Sequence, residues 1–322
     1  MKNAGEKLNI VLVYLGNRLP KYALSNMDYL RSTFENSNVW LVTDSKKIKK
    51  RTENRKHYVW LYEENNSLWT DIKMNMDFPM DFRNGFWFLT IKRFLALEAF
   101  MRVEPNKALH VEADVFLMPN FPIEHFNELE QEMAFPIAAP DNGVASTLFI
   151  NNIKAISNLN RYIEKISLAE NELSDMNLLY KYQQKYPARV KVLPSGPSNE
   201  AVSSGYFDGM AFGTYLLGQD PRNRRGWSLK YSAIDWHADK VEELDYCIED
   251  KSLYAKANGK KISIYSLHIH CKNPKLFNLE NIKKELLKGA REHKYGPKKV
   301  FEIRVIIPII FASLRRRIRR FQ

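Results

Sequence analysis

The chain of 322 residues carries only two cysteines, Cys247 and Cys271, and no CxxC pair. That excludes a disulfide framework and a cysteine zinc site, and it fits a reducing cytosol. No apolar run reaches the length of about eighteen residues that a membrane-spanning helix needs. The amino-terminal MKNAGEKLNIVLVYLG has too short an apolar stretch for a secretory signal and leads straight into a strand-like pattern. There is no internal repeat, no long linker, and no zinc-finger or RRM signature. Acidic residues are outnumbered, 37 against 49 lysines and arginines, for a net charge of +12.

Such a charge calls for an anionic partner: nucleic acid, a phosphorylated substrate or a membrane surface. It is concentrated in Lys46-Lys47 and Lys49-Lys50-Arg51, and in the terminal SLRRRIRRFQ. Neither cluster is interleaved with stacking aromatics, so nucleic acid is the weakest of the three partners. A hydrophobic content of 45% excludes general disorder and promises a substantial core.

Strand and helix patterns alternate. LNIVLVYLG (8–16), NVWLVTDS (38–45) and HYVWLYEE (57–64) read as strands, with a helical YALSNMDYLRSTF between the first two. Residues 85–103 carry apolar side chains at helical spacing, and Pro105 ends that helix. ASTLFINN (145–152), RVKVLP (189–194) and KISIYSLHIHC (261–271) read as further strands, and 174–186 as a helix. The alternation implies an α/β fold, Rossmann-like, with a mostly parallel sheet flanked by helices. Ligands on such sheets bind beyond the carboxyl ends of the strands, where Gly16, Asp44 and Glu112/Asp114 fall.

The stretch KALHVEADVFLMPNF (107–121) places two carboxylates inside an otherwise apolar run. Read as one continuous strand, it projects Glu112 and Asp114 to the same side, where like charges repel and burial costs several kcal/mol. A divalent cation relieves both problems, because Mg²⁺ and Mn²⁺ take hard carboxylate oxygens. The alternative is a strand that ends by Val111, with both acids solvated at a turn.

The first strand and its glycine, the VTDS strand end, the long helix feeding an acidic x-Asp strand and a late His-containing strand together resemble a GT-A fold glycosyltransferase. The match in order spans roughly 8 to 280, and FDGMAFGTYLLGQDPRN (207–223) resembles bacterial polysaccharide and lipopolysaccharide glycosyltransferases. The first acid, Glu112, departs from the usual Asp of the DXD motif. The resemblance implies a nucleotide-sugar donor, a UDP-sugar by preference, held with Mn²⁺ or Mg²⁺. It puts Tyr14 and Gly16 along the base, Asp44 at base or ribose, and Arg93 at the donor. Asp114 would hold the metal, with Glu112 as ligand or ribose contact. In LHIHCK, His268 and His270 fall on one strand face with Lys272 following, so a neutral His can complete the coordination and Lys272 can neutralise a phosphate. His270, nearer Lys272, is the preferred ligand.

An inverting transferase also needs a carboxylate base. Asp208, between an aromatic and a glycine in GYFDGMAFG, is the first candidate; Asp175, in LSDMN, is the second, with a helix capping box as its bland alternative. If configuration is retained, Asp208 would orient the acceptor instead. Asp220-Pro221-Arg222 reads as a structural turn.

The tail has its own logic. In VIIPIIFASLRRRIRRFQ, Ile307, Phe311, Leu314, Ile318 and Phe321 form one helical stripe flanked by five arginines. Such a helix lies in the interface of an anionic membrane. The expectation is a catalytic domain over 1–290 and a basic amphipathic tail over 291–322. The enzyme would be a hexosyl- or N-acetylhexosaminyltransferase, cytoplasmic and peripheral on the inner face of the plasma membrane, acting on a growing glycan or lipid-linked acceptor. A sugar nucleotidyltransferase is the nearest rival, but YLGNRLPKY after the first strand lacks the glycine-rich phosphate loop of that class. A non-catalytic basic module binding membrane or nucleic acid would leave the acidic pair and the histidines without purpose.

Overall fold

The computed structural model describes residues 7–53, 58–63, 67–78, 85–197, 205–218, 240–241, 243–257 and 259–292. The 220–222 turn and the amphipathic tail from residue 293 onward lie outside them. Among the described residues no helix is long and apolar enough to cross a membrane.

The first half winds as anticipated. β1 (Asn9–Val13), α1 (Lys21–Thr33), β2 (Asn38–Thr43), α2 (Lys46–Glu53) and β3 (Tyr58–Leu61) alternate, and the three strands pair in parallel in the order β3-β2-β1. After α3 (Ser67–Asn75) and α4 (Phe86–Val103), the chain returns to the other side of β1 as β4 (Ala108–Val111), again parallel. Strand order therefore reverses between β1 and β4, and their carboxyl ends open a crevice there.

α4 is a core helix rather than a surface one. Its buried residues include Phe88, Ile91, Phe94, Leu95, Leu97, Phe100 and Met101, together with Lys92, Arg93 and Glu98. A helix apolar on most of its circumference must be covered on several sides. Here the sheet covers one, and α3, α6 (Ile153–Ser167) and α7 (Asp175–Lys185) the others. Its carboxyl end feeds the start of β4, so its amino-terminal half lies at the crevice, where Arg93 reaches Glu112.

β5 (Val115–Leu117) leaves the first sheet. After the short helix α5 (Ile123–Asn127), that sheet continues through β6 (Met133–Ala139), β7 (Asn142–Gly143), β8 (Thr147–Ile150) and β9 (Val190–Leu193). β8 is antiparallel to β4 and to β6, whereas β9 is parallel to β6. β5 instead pairs antiparallel with β13 (Lys260–His268), in a second sheet with β10 (Gly205–Phe207), β11 (Asp245–Glu249) and β12 (Ser252–Ala257). α8 (Ala211–Leu217) and α9 (Leu279–Glu292) pack on this sheet through Phe212, Leu253, Ile264, Leu267 and Ile282. This smaller sheet was not part of the sequence expectation.

The 107–121 run is thus not one strand. β4 stops at Val111, a turn carries Glu112, Ala113 and Asp114, and β5 begins a different sheet at Val115. The alternative ending was right about the backbone but not about solvent, because neither acid is exposed.

Candidate active site

The turn between β4 and β5 is stitched by backbone bonds from three directions. Glu112 N donates to Ser146 O at 3.1 Å, Val115 N to Glu112 O at 2.9 Å, and Ile269 N to Asp114 O at 2.7 Å. The last bond brings the end of β13 against the acids. His268 Nε2 lies 3.5 Å from Asp114 Oδ1 and 3.6 Å from Glu112 Oε2. Lys272 Nζ is 3.0 Å from Asp114 Oδ2, reaching it from a turn where Lys272 adopts a positive φ of 53°. From α4, Arg93 bonds Glu112 with one guanidinium nitrogen and Asp175 with the other.

Burial makes these pairings decisive. Desolvation alone would raise the Asp114 carboxyl, but Lys272 and then His268 hold it well below the usual carboxylate range. Glu112 is likewise lowered against desolvation, by Arg93 and then His268. Burial disfavours the His268 imidazolium, yet the charge and hydrogen bond of Asp114, then Glu112, raise it to about 9. At Asp175 the balance tips the other way. Burial, aided by the Glu112 charge, outweighs Arg93 and pushes its carboxyl up.

One ligand atom each from Glu112, Asp114 and His268 lies within 4.8 Å of the others. Two hard oxygens and one imidazole nitrogen suit Mn²⁺ or Mg²⁺ better than soft-ligand metals. His268 Nδ1 donates to Gly209 O at 2.8 Å, which turns Nε2 toward the acids and fixes the ring as a ligating His needs. The residues present therefore fit a divalent cation.

Of the two histidines, His268 brings its Nε2 into the acidic group, while His270 lies near enough for its charge to lower Asp114 as well. β13 ends at His268, and His270 N bonds back to His268 O at 2.9 Å, so the chain turns before His270. The His270 ring stacks on His268 with centroids 4.0 Å apart instead of lying beside it on a strand face.

Asp208 is also placed otherwise than a base requires. It is fully buried, and its carboxylate accepts backbone N–H groups from Phe212 (3.1 Å), Gly213 (2.7 Å) and His268 (2.8 Å). Its own N–H donates to Ser266 Oγ at 3.0 Å. Asp208 ties the start of α8 to the end of β13, so it supports His268 from behind. The contact depends on Gly213, where a Cβ would stand 1.9 Å from His268 O. Asp175 is not a cap either: Ser174 and Asn177 form the capping box of α7, leaving the Asp175 side chain to reach Arg93. Of the two base candidates, only Asp175 joins the acidic cluster.

On the other side of the crevice, Gly16 has φ of +127°, a conformation that disfavours a side chain, and its N–H donates to Asp44 Oδ1 at 2.8 Å. Ser45, rather than Asp44, accepts from Ile48 N at the start of α2. Lys92, only 9% exposed, stands 3.9 Å from Asp44 Oδ2 and over the rings of Tyr62 (5.5 Å) and Trp69 (5.9 Å). It is a cation held in place at the β1–β2 end of the crevice. Tyr14 OH donates to Arg18 O at 2.8 Å, bracing the same turn. Thr90, whose hydroxyl donates to Trp87 O at 2.9 Å and lies close enough to Asp175 to lower its carboxyl, and Ser266 were not anticipated; each is a small hydroxyl with no motif to announce it.

No family model matches the chain, and no curated protein matches it. Among solved structures, galactosyltransferase LgtC in complex with donor and acceptor sugar analogs superposes with TM-score 0.45 and 10% identity, over 87% of this chain and 96% of that one. Mouse xyloside xylosyltransferase 1 gives 0.40 and 10%, over 60% and 89%. CMP:2-keto-3-deoxy-manno-octonic acid synthetase gives 0.34 and 10%, over 61% and 93%. Likeness at this level identifies no activity; the chain's own residues must carry one.

Proposed function

We propose that the protein is a metal-dependent glycosyltransferase that moves a sugar from a nucleotide-sugar, a UDP-sugar in the first instance, to a glycan or lipid-linked acceptor. The observation that carries this reading is the convergence of Glu112, Asp114 and His268 at the reversal of strand order, with Lys272 and Arg93 beside them. A bound divalent cation would act as a Lewis acid toward the departing diphosphate. Gly16, Asp44 and Lys92 line the nucleotide end, and Lys272 is within reach of a phosphate oxygen once Asp114 is engaged elsewhere. Arg93 orients Glu112 and Asp175 together. In transfer, the bond from anomeric carbon to diphosphate oxygen breaks and one to the acceptor oxygen forms. The acceptor proton must go to a base. Asp175 is our candidate in place of Asp208, because its carboxyl adjoins the cluster and burial raises its proton affinity.

A panel of UDP-, GDP- and CMP-sugars incubated with the full chain and Mn²⁺ tests the reading. Release of UDP that EDTA abolishes supports it. Preference for GDP or CMP would refute the donor while sparing the reaction class. Formation of pyrophosphate from a nucleoside triphosphate and a sugar phosphate would replace it with nucleotidyl transfer. We further propose that the basic amphipathic tail brings the enzyme to an anionic membrane surface on the cytoplasmic side.

A further inference from the structure

β5 is bonded to β13 along one edge only. Carbonyls of a strand alternate between its edges. Asp114 O therefore meets Ile269 N, while the carbonyls of Ala113, Val115 and Leu117 point the opposite way, where no strand lies among the described residues. Buried carbonyls need donors. These donors come from α1. Asn26 Nδ2 donates to Ala113 O at 3.2 Å and to Val115 O at 2.8 Å, and Tyr29 OH donates to Leu117 O at 2.7 Å. One turn before Asn26, the ring of Tyr22 lies 5.6 Å below Lys272 Nζ. Tyr22, Asn26 and Tyr29 fall at i, i+4 and i+7, a single stripe of α1.

Asn26 is fully buried, and its Oδ1 has no hydrogen-bond partner. Reversing the amide would aim Oδ1 at two carbonyl oxygens, so the orientation is set by the neighbours. An orphaned buried acceptor is destabilising, and a leucine of similar size would avoid it. The side chain is thus kept for its two donors. Those donors hold the carbonyls of the residues on either side of Asp114, while Ile269 N holds the carbonyl of Asp114 itself.

We propose that Asn26 is a positioning residue that sets the Asp114 carboxylate for cation binding. This rests on the cation reading given under Proposed function, and the test separates the two. Asn151 is a control with the same donor pattern on a partly buried side chain: its Nδ2 also donates to two carbonyls, Leu129 O (3.4 Å) and Gln131 O (3.3 Å), but at the far end of β8. Full-length Asn26→Leu and Asn151→Leu are compared with wild type by Mn²⁺ titration calorimetry, by the electron paramagnetic resonance spectrum of bound Mn²⁺, by thermal unfolding and by hydrogen exchange. Both variants should lose thermal stability. Only Asn26→Leu should lose about tenfold or more in Mn²⁺ affinity and alter the spectrum, as loss of a supporting contact around a metal site does. It should also speed exchange at the Ile269 amide. If Asn26→Leu does not fold, Asn26→Ser, whose single hydroxyl cannot span both carbonyls, replaces it. Mn²⁺ affinity within about twofold of wild type in a folded variant overturns the proposal. A wild type that binds no Mn²⁺ overturns the cation reading; unchanged Ile269 exchange would then also remove Asn26 as the anchor of the Asp114 peptide.

Discussion

His268 presents Nε2 to Asp114 Oδ1 at 3.5 Å while its Nδ1 is committed to Gly209 O. The imidazole thereby stands where a cation ligand is needed, yet the acids that recruit it also keep it protonated, with its pKa raised to about 9. A proton and a metal compete for the same nitrogen. The raised value means that the folded state holds this proton more tightly than the unfolded chain. Its contribution to stability is full below about 6.5 and is lost as pH rises through about 9.

Cation binding must expel that proton. Mn²⁺ affinity should therefore rise about tenfold per pH unit as pH approaches 9, then level off. Calorimetry in two buffers of different ionisation enthalpy should count about one proton released per Mn²⁺ at pH 7.5. A pH-independent affinity with no proton release would remove His268 from the coordination.

Arg93 is shared by Glu112 and the buried Asp175, so Arg93→Met leaves Asp175 without its cation and Glu112 with His268 alone. Breaking a buried pair in this way costs about 3–5 kcal/mol, measurable as a lower urea midpoint at pH 7. In wild type the lowered Glu112 contributes stability above the ordinary glutamate range and loses it as pH falls through its depressed value. In the variant both carboxyls should titrate higher than in wild type, Asp175 most of all because Arg93 is its only cation among the described residues, which favours folding at lower pH. The gap between wild type and variant should accordingly narrow from pH 7 to pH 5. A constant gap would show that lost packing, not charge, is responsible.

Asp208→Asn separates a support from a base. An asparagine has one acceptor oxygen, so at least one of the Phe212, Gly213 and His268 N–H groups would face an NH₂. Each unsatisfied group costs about 1–3 kcal/mol. The expected result is a lower unfolding midpoint together with weaker Mn²⁺ binding, because His268 moves with its backbone. Unchanged stability and metal affinity with a large loss of turnover would restore Asp208 as the base.

The acidic pair, the His-containing strand and Lys272 were legible because each sits at a strand end and has few other reasons to be there. What obscured their geometry was local. Val115 begins β5 with the same apolar pattern that ends β4, so two strands of different sheets read as one. The β11–β12 hairpin turns through Asp250 and Lys251, both at positive φ (47° and 66°), where glycine or asparagine is the usual signal. Asp208 before Gly209 reads alike whether it faces substrate or the first turn of α8, and only the approach of β13 decides. The choice of His268 over His270 depends on where β13 ends, a boundary that periodicity does not resolve. Asn26 had no signal at all, since its partners lie 87 and 89 residues away.

The tail tests the proposed membrane location. Five arginines within the last eight residues would repel one another on an isolated helix, and an anionic surface offsets that repulsion. Each basic residue near such a surface contributes about 1 kcal/mol, falling with salt as the attraction is screened. The full chain should co-sediment with vesicles rich in phosphatidylserine in low salt, not with neutral vesicles, and should be released as salt rises. A chain ending at residue 302 should stay in the supernatant while keeping Mn²⁺ affinity, because Glu112, Asp114 and His268 all precede the cut. Lysines 46, 47, 49 and 50 with Arg51 in α2 form a second cationic surface that survives the truncation, and they set the alternative outcome. Equal sedimentation with and without the tail would assign membrane attraction to the folded domain and remove the tail as its anchor.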